Sequence, residues 1–199
     1  GRRREGPVCV EPARPNQRDE LRRLVPDPGA VPQQRRDLPL QRLHVEGHRD
    51  GIYFEFVTNS LITNNYSEGN MRYGLHFMFS HNDEYRDNTF INNGAGVAVM
   101  YTKGVKMINN HFIHNWGSSS YGLLLKDISD SFVTGNEFVE NSVGIHVEGG
   151  SRILFRENEF TRNGYAFKLQ ASCDDNVIER NNFQQNTFDL VTNGSLVLN

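Results

Sequence analysis

From residue 51 to residue 199 this chain contains not one proline. Proline has no amide hydrogen to give to a ladder, so its absence over such a length suits continuous strand pairing. Only two cysteines occur, Cys9 and Cys173; they lie in different regions and form no metal-binding spacing. No apolar run reaches the length of a transmembrane helix. The arginines at the start are not followed by the apolar stretch of a secretory signal. A Gly-rich phosphate loop and a nucleophile–base pair are missing too. Strong charge is also lacking. Residues 51–199 carry 10 Lys+Arg and 16 Asp+Glu, a net −6, against +3 for residues 1–50. A mildly acidic folded part does not hold nucleic-acid phosphates by charge.

What is abundant is asparagine, with 21 from residue 51 onward. Much of it belongs to a degenerate repeat. Each copy opens on Gly or a small residue: Gly51, Gly74, Gly96, Gly122, Gly144 and Ala166, at spacings of 23, 22, 26, 22 and 22 residues. Each then carries Asn-x-aromatic, ending at Tyr66, Phe90, Phe112, Phe138, Phe160 and Phe183. A fixed period of this length describes a stacked array of short units.

Within a copy the apolar residues alternate with period two. In Gly144-Ile-His-Val-Glu, Ile145 and Val147 share one face while His146 and Glu148 share the other. A second inward position falls at Leu61, Tyr85, Met107, Val133, Phe155 and Ile178, five residues before each aromatic. Asn closes the segment at Asn93, Asn115, Asn141, Asn163 and Asn186. Asn tolerates left-handed turns and hydrogen-bonds along a stack of identical side chains. The Asn and Gly load opposes helical repeats, and leucine-rich repeats need Leu at several fixed positions. The pattern therefore predicts an all-β fold, a right-handed parallel β-helix of about six to seven rungs. The six aromatics are expected to stack inside it.

The first stretch is different. Residues 1–43 hold all seven prolines, 10 of the 21 Lys+Arg and no aromatic residue. This composition predicts a poorly ordered Pro/Arg-rich tail or a foreign segment. Without interleaved aromatics nothing marks it as a nucleic-acid arm. At the other end Leu196-Val-Leu-Asn199 reads as the opening of another strand. Residues 46–199 are thus expected to be a β-helix fragment lacking native caps.

Three segments carry a resemblance to a known family: Met71-Arg-Tyr-Gly-Leu-His-Phe-Met-Phe-Ser-His-Asn82, Gly94-Ala-Gly-Val-Ala-Val-Met-Tyr101 and Tyr121-Gly-Leu-Leu-Leu-Lys-Asp127. In this order they resemble the NosD-type parallel β-helix repeat, over about residues 46–199. The resemblance implies a periplasmic protein that supplies the copper centres of nitrous-oxide reductase. It also implies partners: an ABC-type transporter made of a membrane subunit and an ATPase, a copper chaperone, and the reductase.

The residues supply their own argument for copper. Two positions after each opening, the outward residues are Tyr53, His76, Ala98, Leu124, His146 and Lys168; four after it they are Glu55, Met78, Met100, Lys126, Glu148 and Gln170. Rungs stack about 4.8 Å apart. Met78 and Met100 then fall side by side with His76 on the same face, and thioether and imidazole groups suit Cu(I). His76, Met78 and Met100 are the expected metal ligands, in a transfer site without catalysis. The plainer reading makes the methionines interface packing. His81 follows in the turn, His111 and His114 flank Phe112, and His146 stands alone between Leu124 and Lys168. Met107 reads as core and Met71 is undecided.

The rival function is a polysaccharide-binding or polysaccharide-degrading β-helix. Glycoside hydrolysis needs two carboxylates facing each other across one bond. Glu55 and Glu148 on the outward face are four rungs apart, near 19 Å at about 4.8 Å per rung, too far for such a pair.

Overall fold

A computed structural model describes residues 39–170 and 172–192. Residues 1–38, Ala171 and residues 193–199 lie outside it, and with them most of the expected tail and the strand opening at Leu196. The described chain is a parallel β-solenoid of about seven turns with no helix. Each turn visits three faces.

The first face stacks the strands Asp50–Glu55, Tyr73–Met78, Ala95–Lys103, Leu123–Thr134, Val143–Glu148, Tyr165–Leu169 and Phe188–Thr192. The second stacks Pro39–Gln41, Leu61–Thr63, Glu84–Arg86, Lys106–Ile108, Ser151–Arg156 and Val177–Glu179, together with the far end of Leu123–Thr134. That long strand turns the corner and joins both faces into one hydrogen-bonded sheet. The third face runs through His44–Glu46, Tyr66–Glu68, Thr89–Ile91, His111–Ile113, Glu137–Val139, Glu159–Thr161 and Asn182–Gln184. Pro39–Gln41 and His44–Glu46 already belong to the stack, so the coil begins before the expected start at residue 46. Pro39 is the first residue of a strand at the end of the described order, where a missing amide hydrogen is tolerated.

Between the faces lies a column of aromatic rings. Phe90, Phe112, Phe138, Phe160 and Phe183 stack with centroids 5.5, 4.7, 4.9 and 4.9 Å apart. Tyr66 is not in this column, contrary to the sequence expectation. Its place opposite Phe90 is held by Ser67, which is fully buried. Tyr66 turns outward, edge-on to His44, and its hydroxyl donates to Glu68 at 3.0 Å. The same one-residue slip puts Ile62, not Leu61, opposite Tyr85. Its cause is the Asn64-Asn65 doublet. Asn64 takes the left-handed corner at φ 55°, and Asn65 takes the place in the asparagine stack.

Two asparagine ladders bind the turns together. One runs from Asn65 through Asn88, Asn110, Asn136 and Asn158 to Asn181; the other from Asn70 through Asn93, Asn115, Asn141 and Asn163 to Asn186. Asn136 shows the unit. Its Oδ1 accepts from the backbone N (2.9 Å) and Nδ2 (3.0 Å) of Asn110, and its Nδ2 donates to the Met107 carbonyl and to Asn158 Oδ1, each at 3.0 Å. The amide is fully buried with both its ends satisfied, which is the condition for a polar group in a core.

The opening glycines follow from crowding. A Cβ at Gly96 would lie 2.5 Å from the Gly122 carbonyl oxygen of the next turn, and the other four glycines of the column meet similar obstacles. The turn of 26 residues accommodates its excess as a loop after Trp116, tied down by the Gly117 amide, which donates to Ser142 Oγ at 2.9 Å.

Candidate metal site

The strand register places the outward columns of the first face as expected. Tyr53, His76, Ala98, Leu124, His146 and Lys168 are successive partners, and so are Glu55, Met78, Met100, Lys126 and Glu148. Met78 therefore lies beside Met100 in the ladder, with His76 two residues before Met78 on the same strand. Both methionines are half-buried.

His76 is less exposed than an outward position implies. Only 6% of its surface is accessible. The Tyr73 ring lies 4.6 Å and the Tyr53 ring 5.2 Å from the imidazole, centre to centre. Burial holds its pKa below the ordinary histidine value, and the Arg72 guanidinium pushes in the same direction, against Asp50 and Glu55. Its Nε2 is buried without a hydrogen-bond partner among the described residues. A buried polar atom without a partner is costly and calls for an explanation such as an ion or a water. Among the described residues no three His, Cys, Asp or Glu side chains converge as a metal-binding group. A metal on this face would use thioether ligands beside the one imidazole, which fits a soft monovalent ion and not a hard divalent one.

The other histidines lie apart from this group. His81 sits beyond the corner formed by Phe79 and Ser80, and its Nδ1 already accepts the Lys103 amide at 3.1 Å. His111 pairs through Nδ1 with Glu137 at 2.8 Å, and His114 with Asn92 Oδ1 at 2.9 Å. His111 is on the third face and His114 at its corner, and they share no partner. His146 is buried like His76, with its ring 5.0 Å from Tyr121, and its Nδ1 has no partner among the described residues. No methionine accompanies it in the register. Met107 is core, and Met71 is the most exposed methionine at 76%.

One feature of the site escaped the sequence reading. Phe56, Phe79 and Tyr101 directly follow Glu55, Met78 and Met100 and occupy the corner after the first face. All three have left-handed backbones, with φ of 57°, 49° and 55°. Their rings stack in the open, 5.3 and 5.1 Å apart and tilted by only 10° and 13°. The sequence signal was an aromatic five residues after Gly51, Gly74 and Gly96; later turns have Asp127 and Gly149 there.

Comparison with solved structures supports the architecture. The A-module of the mannuronan C-5 epimerase AlgE4 from Azotobacter vinelandii superposes with a TM-score of 0.63 at 14% identity, covering 79% of this chain and 57% of that one. This chain thus spans little more than half the length of that module, and at such identity the likeness concerns the fold. The catalytic domain of Agl-KA matches at a TM-score of 0.36 and 13% identity, over 78% of this chain and 47% of that one. Curated protein sequences give no match. The family described as periplasmic copper-binding protein (NosD) matches residues 16–198, nearly the whole chain. A parallel solenoid with a thioether pair on its outer face is thus consistent with the assignment that this match makes: the chain belongs to the NosD family of periplasmic copper-binding proteins.

Proposed function

We propose that this chain is a transfer scaffold for Cu(I), serving the copper centres of nitrous-oxide reductase together with an ABC-type transporter, its ATPase and a copper chaperone. The observation that carries the reading is the ladder pairing of Met78 with Met100 beside His76, whose Nε2 has no partner among the described residues. The family supports copper and the periplasm; the link to the reductase rests on the resemblance of the three segments that contain these ligands. Copper is cargo here, not a resident cofactor. Three ligands from two turns leave room for a donor or acceptor to supply another, which is what a hand-over site requires.

The test is competition with a Cu(I) chelator. Met78→Leu with Met100→Leu keeps side-chain volume nearly constant, so the fold should persist. The parent protein is expected to hold Cu(I) well, and the double variant to lose about tenfold or more, since both soft donors are gone. Equal affinity would remove these residues from the site and turn attention to His111 and His114.

The likeness to an epimerase module also raises a polysaccharide reading. The register weakens its hydrolytic form. Glu55 and Glu148 are separated by Met78, Met100 and Lys126, so they are near 19 Å apart at about 4.8 Å per rung.

A further inference from the structure

We infer that the stacked rings of Phe56, Phe79 and Tyr101 form the docking surface for a Cu(I)-carrying protein, whose matching surface is apolar. The inference rests on the copper reading above, because it names the partner of that same site.

Bulky side chains are outliers at positive φ, and these three are exposed as well. Left-handed corners recur along the whole solenoid, Asp127 and Gly149 of this same column included, so what sets these three turns apart is the aromatic bulk placed at the corner. Here it coincides with the candidate ligands: Met78 is bonded to Phe79 and Met100 to Tyr101, whereas the turns with Lys126 and Glu148 have Asp127 and Gly149 at the corner. Phe56 extends the strip by one turn and is its most exposed ring, at 73%.

The chemistry of the strip narrows the occupant. Each inner ring face is covered by its neighbour, so the stack presents mainly edges. A sugar binds on an aromatic face, which leaves little purchase for a polysaccharide. Of the nearby cations, Lys126 is paired with Glu148 at 3.1 Å, and Lys103 lies 3.6 Å from Asp130, a carboxylate that also binds Arg152 at 2.6 Å, so among the described residues an anionic ligand would meet at most one uncompensated charge there. Aliphatic and thioether side chains of a protein suit ring edges well. A donor that passes Cu(I) by ligand exchange must also bring its own ligands to Met78 and Met100, and a body that close covers the adjacent rings.

The test uses the whole chain with Phe56→Asn, Phe79→Asn and Tyr101→Asn combined. Asn tolerates the left-handed corner, so the variant should melt no lower than the parent. Cu(I) affinity against the small chelator bathocuproine disulfonate, which needs no docking surface, should be unchanged. The rate of transfer from a Cu(I)-loaded copper chaperone with Met and His ligands should fall about tenfold or more, and binding of the metal-free chaperone should weaken in parallel. Equal chaperone binding and equal transfer in both proteins would overturn the proposal. So would a lower melting temperature, which would make the stack structural, or a matching loss of chelator-measured affinity, which would place the rings at the metal. A parent protein that takes no Cu(I) from the chelator would defeat the copper reading instead; binding of the metal-free chaperone still judges the docking surface by itself.

Discussion

The Ser60 amide donates to Asp83 Oδ1 at 2.8 Å, while Asp83 Oδ2 is buried without a partner among the described residues. This aspartate sits in a corner column where Asn176 occupies the equivalent place near the far end of the described solenoid. There the Oδ1 accepts from the Ile153 amide as Asp83 Oδ1 does from Ser60, but the Nδ2 also donates to the Gly150 carbonyl at 2.9 Å, which a carboxylate does not do.

Asp83→Asn is therefore expected to stabilise the protein near neutral pH. Burial raises the Asp83 pKa from 3.8 to about 6. A folded value above the unfolded one means that its contribution is fully present below pH 3.8 and is lost as pH rises through about 6. The shift corresponds to an upper bound of about 3 kcal/mol. Urea unfolding at neutral pH should show the variant ahead by about 1–3 kcal/mol, with the gap closing towards pH 4. A constant gap across that range would show that charge on Asp83 is not the cause.

The ladder amides should be far less replaceable than surface ones. Asn136→Ala leaves the buried Asn110 amide, the Met107 carbonyl and Asn158 Oδ1 short of a partner. A loss of about 2–4 kcal/mol is expected. Asn182→Ala, which removes only an exposed link to Glu159, should be nearly silent in the same denaturation experiment.

His146 should make the fold sensitive to acid. Burial, with Lys168 and Lys126 adding to it against Glu148, lowers its pKa below the ordinary 6.5. Its contribution is present above pH 6.5 and is lost as pH falls through the lowered folded value. His146→Leu should flatten the acid limb of a melting-temperature profile. His76 is unchanged in both proteins, so the difference isolates His146.

The aromatic column should dominate the core. Phe138 is fully buried between Phe112 and Phe160, with centroids 4.7 and 4.9 Å away. Phe138→Ala is expected to cost about 3–5 kcal/mol. Tyr66→Ala, outside the column, should cost much less. Equal losses in thermal unfolding would contradict the one-residue correction at that turn.

The architecture was legible because period-two alternation and a recurring Asn report on the backbone itself. Even the outward order of His76, Met78 and Met100 follows from counting. The doublet Asn64-Asn65 shows where counting fails: either residue suits either role, and only the ladder contacts decide between them. The burial of His76 was hidden for another reason. It depends on Tyr53 and Tyr73, one on the preceding turn and one on its own, and alternation does not say which outward side chains lie down over one another. The strip of Phe56, Phe79 and Tyr101 was visible as a spacing, but no residue preference points to Phe or Tyr at positive φ.

The asparagine ladders have a consequence for how such a chain changes over time. Because each Asn amide ties its own turn to the next, the corner beside it keeps a left-handed backbone whatever its side chain; Asn109, His114, Glu140, Arg162 and Gln185 all adopt it. Identity at the corners is thereby uncoupled from folding. A complete 22-residue unit, such as that from Asn88 to Asn109, can in principle be duplicated or lost without disturbing either ladder. The candidate ligands would then move along the axis in steps of about 4.8 Å while still facing the same way. A lineage of such proteins can thus adjust the reach of its binding face in whole increments, as a ruler is lengthened by its own divisions.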